Sequence, residues 1–96
     1  MSPSDQKRKF ILEFLIPYNH EVSMKVFNKL INASQIMGYS IEQIINEVVT
    51  MDSRHDSLLN ISYIPSPDGQ DCLDGTNETS LISDKGLEVL DVLRQI

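Results

Sequence analysis

The last eighteen residues, 79–96, constrain the fold of this chain more than any other stretch. A short β-prone run over 79–82 leads directly into Ser83, a residue type that caps helices, and then into an amphipathic helical pattern. The apolar side of that pattern consists of Leu87, Val89, Leu90, Leu93 and Ile96. The sequence therefore predicts a domain that closes with a strand followed at once by a helix over about 84–96.

Two helical patterns are expected near the beginning of the chain. After a flexible arm over residues 1–6, the first helix stops at Pro17, which lacks an N–H donor and disfavours helix in the residue before it. The second begins near Ser23 and ends at Gly38, where a left-handed backbone terminates a helix at low cost.

A third helix and a hairpin are expected between Gly38 and the closing helix. Ser40 and Gln43 form a capping box that predicts the start of the third helix. A β-prone run over 58–64, a long loop, and the run over 79–82 predict a hairpin over about 58–82. The predicted order is α-α-α-β-β-α, in a single α+β, mainly α, domain over 7–96.

Two motifs resemble the winged helix-turn-helix superfamily. Residues 23–52 hold its helix pair, with Ser34, Gly38 and Ile44 at the small, glycine and aliphatic positions. The run Leu81-Ile-Ser-Asp-Lys-Gly-Leu87 is similar to the strand-Lys-Gly-helix ending of small bacterial and prophage-borne members. Glu47 departs from the pattern at a position that is often aliphatic. The resemblance implies a wing over about 58–82 and a DNA-binding regulator of transcription.

In that family the third helix enters the major groove of DNA. The resemblance therefore places Gln43 and Asn46 where they could read adenine edges. Basic side chains on the arm, the first helix and the start of the second helix could contact phosphates, or they could form only a solvated face. They are Lys7, Arg8, Lys9, Lys25 and Lys29.

The charge distribution disfavours DNA. The net charge is −6, with −7 in residues 40–78 and +2 in residues 1–39, and the third helix carries no Lys or Arg. This leaves an alternative: an acidic protein-interaction module, such as a phage-type inhibitor or DNA mimic, that binds a basic protein and not DNA. The acidic residues assigned to that alternative are Glu42, Glu47, Asp68, Asp71, Asp74 and Glu78.

No catalytic or metal-binding motif is present in the sequence. His20 and His55 are far apart, Cys72 is the only cysteine, and no glycine-rich phosphate loop occurs. The sequence therefore predicts no enzymatic activity, no cofactor and no metal. No apolar run approaches the ~20 residues of a membrane span, so a cytoplasmic protein without a membrane partner is expected.

The first and last helical patterns carry apolar residues on more than one side. Phe10, Ile11, Leu12, Phe14, Leu15 and Ile16 occupy most sides of the first helix. A helix that is apolar all round has to be buried. Because one small domain offers little to bury it, we expect a homodimer through the first and last helices.

Overall fold

Four α-helices dominate the computed structural model, which describes residues 2–18, 23–52, 54–60, 62–64, 72–74 and 81–95, with only the backbone given at 23–25, 62–64 and 72–74. The helices are α1 (Pro3–Leu15), α2 (Ser23–Ile36), α3 (Ile41–Met51) and α4 (Asp84–Arg94), and a 3-10 turn over Ile16–Tyr18 follows α1. Two three-residue strands, β1 (Ser62–Ile64) and β2 (Cys72–Asp74), pair antiparallel with Tyr63 opposite Leu73.

Local chemistry sets the ends of the helices. Ser40 accepts a hydrogen bond from the Gln43 N–H at 3.2 Å, and Gln43 accepts one from the Ser40 N–H at 2.9 Å, so the predicted capping box is confirmed. Gly38 follows α2 with a φ of 92°, a backbone conformation that favours glycine. Ser83 caps α4 by accepting from the Gly86 N–H at 3.0 Å.

The N-terminus differs from the flexible arm expected over residues 1–6. Ser2 caps α1 by accepting a hydrogen bond from the Asp5 N–H, and Pro3 occupies the first helical position, where its missing N–H costs nothing. Asp5 in the first turn complements the positive end of the helix dipole. Residues 3–6 are therefore part of α1.

The core is mostly aliphatic. All four helices contribute to it, together with the segments on either side of the strands. Its buried members are Ile11, Leu12, Leu15, Val26, Phe27, Leu30, Ile44, Val48, Met51, Leu58, Leu59, Leu81, Ile82 and Leu90. Ser34, the small residue of the helix-turn-helix pattern, is also fully buried, and its hydroxyl donates to the Ile31 carbonyl at 2.7 Å.

The predicted α+β winged helix-turn-helix class is wrong. Where side chains are described the molecule is helical and contains no strand, so the described residues do not form the expected wing sheet with one strand over 58–64 and the other over 79–82. Leu81 and Ile82, the described part of the expected second strand, form one isolated bridge, between Ile82 and Leu59. The strands β1 and β2 pair with each other, and neither pairs with Leu81 or Ile82.

Consecutive burial explains why the expected first strand does not begin at Leu58. Leu58 and Leu59 are adjacent and both are buried, whereas successive side chains of a strand point to opposite faces. The Leu59 N–H donates to the Met51 carbonyl at 3.0 Å, and the Leu58 carbonyl accepts from the Ser83 N–H at 3.1 Å. The segment of Leu58 and Leu59 therefore packs against α3 and α4 and forms part of the core.

The chain itself buries most of the apolar surface of α1. Ile11, Leu12 and Leu15 are fully buried within the chain, so they need no partner subunit. The homodimer stays a prediction, and within α1 only the partly exposed side chains bear on it. Within the described ranges, no helix combines the length and apolar character needed to cross a membrane.

Candidate functional site

Arg8 of α1 and Glu47 of α3 form an ion pair that joins the two helices. The Arg8 Nε–H donates to Glu47 Oε1 at 2.8 Å, and Arg8 Nη2 donates to Asp56 Oδ2 at 2.8 Å and to Thr50 Oγ1 at 3.4 Å. The Ser4 hydroxyl also donates to Glu47 Oε1, at 2.7 Å. Arg8 and Glu47 were assigned to opposing functions, yet they neutralise each other.

The position of Glu47 explains this pairing. It follows Ile44 on the inner face of α3 and is itself buried. An unpaired buried carboxylate is costly, so a cationic partner is required. Burial lowers the pKa of the Arg8 guanidinium, but its bonds to Glu47 and Asp56 raise it more, so that its pKa lies above the ordinary value and Arg8 stays charged.

Of the other residues predicted to bind DNA, those whose side chains the structure describes do not gather into one cluster. The Lys29 ammonium lies over the Tyr18 ring, 4.7 Å from its centroid. Tyr18 follows the C-terminal end of α1, whereas Lys7 and Lys9 lie nearer its N-terminal end. At the rise of an α-helix, the eleven positions from Lys7 to Tyr18 span about 16 Å. The Gln43 side chain is engaged in the capping box, whereas Asn46 is exposed on α3. The Lys25 side chain lies outside the described part.

The acidic surface predicted for a protein partner is described only in part. Glu42 is exposed at the start of α3, and Glu47 is buried against Arg8. Asp74 belongs to β2, and only its backbone is described. The remaining predicted residues, Asp68, Asp71 and Glu78, lie outside the described residues.

Asp52 forms a second polar cluster at the C-terminus of α3. Its fully buried carboxylate accepts from the Arg54 N–H at 2.9 Å and contacts His55 Nδ1 at 2.9 Å and Arg54 Nη2 at 3.3 Å. Burial raises the pKa of Asp52, but these bonds outweigh it, so that its pKa lies below the ordinary value. The cluster orders the turn that follows α3, which includes Ser57 with a φ of 58°.

The α2–α3 corner, residues 36–41, carries exposed apolar side chains. Ile36 is 86% exposed, Met37 61% and Ile41 43%, and Glu42 is exposed beside them in the sequence. Tyr39 is half-buried and holds the corner on the core by packing against Phe10, with ring centroids 5.8 Å apart. Soluble monomers rarely expose contiguous large apolar patches that have no function.

Two signals in the sequence could have led to these features. Glu47 departs from the apolar stripe of α3, and a carboxylate at such a position calls for a buried partner. Ile36 and Met37 lie next to Gly38, where the amphipathic pattern of α2 ends. Comparison with known proteins adds no relative: no family model, no curated protein and no solved structure matches the chain.

Proposed function

We propose that this chain is a protein-binding module that contacts a partner protein through the α2–α3 corner. The observation that carries the proposal is the exposure of Ile36, Met37 and Ile41 within six positions of the sequence. Apolar side chains so exposed add nothing to the stability of an isolated chain. A partner that covered them would gain the free energy of apolar burial.

The distribution of charge contacts supports a protein partner over DNA. Among the described residues, Arg8, Arg54 and Arg94 pair with carboxylates, and the Lys85 ammonium donates to the Asp56 carbonyl at 2.7 Å. Much of the positive charge is thereby bound to oxygen atoms of the same chain. Since phosphate contacts supply most non-specific affinity for DNA, the surface around α3 has little with which to hold a duplex.

The chemistry of the corner indicates what kind of partner it fits. Glu42 is exposed directly after Ile41, and the net charge of the chain is −6. A complementary protein surface has an apolar centre and basic side chains at its rim. Such a partner agrees with the predicted alternative of an acidic protein-interaction module. The contact, however, lies at the α2–α3 corner and not at the acidic residues of the long loop. We expect this module to act in the cytoplasm.

Comparative affinity capture tests the proposal. The chain would be used as bait in extracts of the cells that produce it, beside the variants Ile36→Asp and Met37→Asp. A control variant, Ile16→Asp, adds the same charge at an exposed apolar side chain away from the corner. We expect a discrete basic protein to be retained by the wild type and the control and lost from both corner variants. Equal retention by all four chains would contradict the proposal.

A DNA titration tests the competing function. Fluorescence anisotropy with a labelled duplex at low salt should show no binding by the wild type. If a duplex binds, and if Lys7→Glu and Lys9→Glu weaken that binding while raised salt abolishes it, DNA is the ligand instead.

A further inference from the structure

Four aromatic side chains form a continuous row along one side of α1. Phe10 contacts Tyr39 and Phe14, with ring centroids 5.8 and 6.2 Å apart, and Phe14 contacts Tyr18 at 5.2 Å. All four rings are half-buried, so each keeps a part of its surface open to solvent. We call Phe10, Phe14, Tyr18 and Tyr39 the aromatic row. A ligand that covers the whole row must therefore contact it through more than one side chain.

Each end of the aromatic row carries an ammonium group. Lys29 lies over the Tyr18 ring at 4.7 Å. Lys7 precedes Phe10 and Phe14 by three and seven positions, a spacing that puts all three on one face of α1. No ion pair joins Lys7 to any residue in the described ranges. A ligand of this row should therefore be apolar along the rings and acidic at the edge beside Lys7.

The outer face of α4 has the opposite character. Asp84, Glu88 and Asp91 follow an i, i+4, i+7 spacing on one face, and all three are exposed. Within the described part of the chain none of these carboxylates pairs with a base, because the two bases of α4 bond elsewhere, Lys85 to the Asp56 carbonyl and Arg94 to Glu13. Leu87 and Val92 lie on either side of this acidic face and are exposed.

We propose that the aromatic row of one copy of this chain binds the acidic face of α4 from a second copy. Leu87 and Val92 would cover the open surface of the rings, and the carboxylates would face Lys7. Exposed ion pairs contribute little individually, so the apolar contact supplies most of the affinity and the charges fix the orientation. Apart from Tyr39, this inference uses residues outside the α2–α3 corner, and it does not depend on the proposed function.

The two faces differ, so the contact is heterologous. A dimer built from one such contact leaves an unused row on one subunit and an unused α4 face on the other. Unless two contacts close on each other, self-association should therefore continue beyond the dimer as concentration rises. This refines the predicted homodimer, because α1 and α4 take part through faces that their own chain leaves open.

Sedimentation velocity with two disabled variants tests the inference. The row variant combines Lys7→Glu with Phe14→Ser, and the helix variant combines Glu88→Lys with Val92→Ser. At hundreds of micromolar the wild type should associate, and each variant alone should associate at least about tenfold more weakly. Mixing the two variants leaves one intact row and one intact α4 face, so a one-to-one heterodimer should form.

The mixture also distinguishes the loss of a binding face from misfolding of a variant. A variant that restores association in its partner must carry a folded intact face, and far-ultraviolet circular dichroism checks the helix content of each chain. If Phe14→Ser proves unfolded, Tyr18→Ser replaces it in the row variant. A wild type that stays monomeric at hundreds of micromolar, or folded variants whose mixture stays monomeric, would overturn the inference.

Discussion

Arg8 donates its Nε–H to Glu47 Oε1 at 2.8 Å across the contact between α1 and α3. The two residues are separated by 39 positions in the sequence, and the bond between them fixes the N-terminal part of α1 against the third helix. Asp56 accepts a further hydrogen bond from Arg8. The Ser4 hydroxyl and the Arg8 Nε–H both donate to Glu47 Oε1, so two donors offset the cost of removing the Glu47 carboxylate from water. The pair is therefore structural, and it removes one base from the surface around α3.

A double-mutant cycle on Arg8 and Glu47 measures this pair. We expect a coupling free energy of about 1–2 kcal/mol between Arg8→Ala and Glu47→Ala in urea denaturation, because the pair is largely shielded from water. The pair Arg94–Glu13 serves as a control, since it has similar chemistry, an N–O distance of 3.1 Å and greater exposure. Its coupling should fall below about 1 kcal/mol. Equal couplings for the two pairs would contradict the structural role of Arg8.

The carboxylate of Asp52 should make stability depend on pH at acidic values. Its pKa is lower in the folded chain than in the unfolded chain. The stability it contributes is therefore present above the unfolded pKa of about 4 and is lost as the pH falls through the folded value. Asp52→Asn should cost about 1–3 kcal/mol at pH 7, and the difference from the wild type should shrink below about pH 4.

Denaturation of the wild type and of Asp52→Asn at several pH values checks this prediction. Asp91→Asn is the matched control, since Asp91 is exposed and none of the described residues pairs with it. Its difference from the wild type should be small at every pH. A cost of Asp52→Asn that stays constant from neutral to acidic pH would mean that the charge of Asp52 adds no stability.

Gly86 is required for the close approach of α4 to the segment after α3. A Cβ atom at this position would collide with the Leu58 carbonyl oxygen and come within 2.9 Å of the Ile82 side chain. Gly86→Ala should therefore destabilise the fold by about 2 kcal/mol despite the higher helix propensity of alanine, which lowers the melting temperature by about 10 °C in a domain of this size.

Gly38 provides the comparison for Gly86. No atom lies within 4 Å of a Cβ built there, and only its φ of 92° favours glycine. Gly38→Asn should cost less than about 1 kcal/mol, because asparagine tolerates a left-handed backbone. If calorimetry gives the same melting temperature for Gly86→Ala and the wild type, α4 does not pack as closely on Leu58 as described.

Much of the helical framework could be predicted from the sequence, because its signals are local. Ser40 with Gln43, Gly38 and Ser83 each specify a helix end through residues a few positions away. The prediction of a wing could not be tested against local signals of this kind. Leu58 looks like strand sequence, and only its tertiary contacts with Ser83 and Gly86 show that it fills the core.

The candidate site was harder to predict than the helices. The pairing of Arg8 with Glu47 joins distant parts of the chain, and a count of charges treats both as available to a ligand. The exposure of Ile36 and Met37 depends on where the amphipathic pattern of α2 ends relative to its neighbours. Such tertiary relationships cannot be inferred from periodicity within one helix.

The α2–α3 corner should tolerate substitution without loss of stability. Ile36→Lys should change the free energy of unfolding by less than about 0.5 kcal/mol, because the side chain is already exposed and a cation suits a helix C-terminus. Leu30→Ala, in the same helix but fully buried, should cost about 2–5 kcal/mol. A large cost for Ile36→Lys in thermal denaturation would mean that Ile36 is needed for folding.

Site-specific photo-crosslinking shows directly whether the α2–α3 corner contacts a partner protein. A photoreactive phenylalanine analogue would replace Ile36 in one chain, Met37 in a second and Ile16 in a control, each produced in its native cells. We expect the two corner positions to crosslink to the same partner protein and position 16 not to do so. The absence of a protein crosslink from either corner position, or equal crosslinking from position 16, would contradict the proposal.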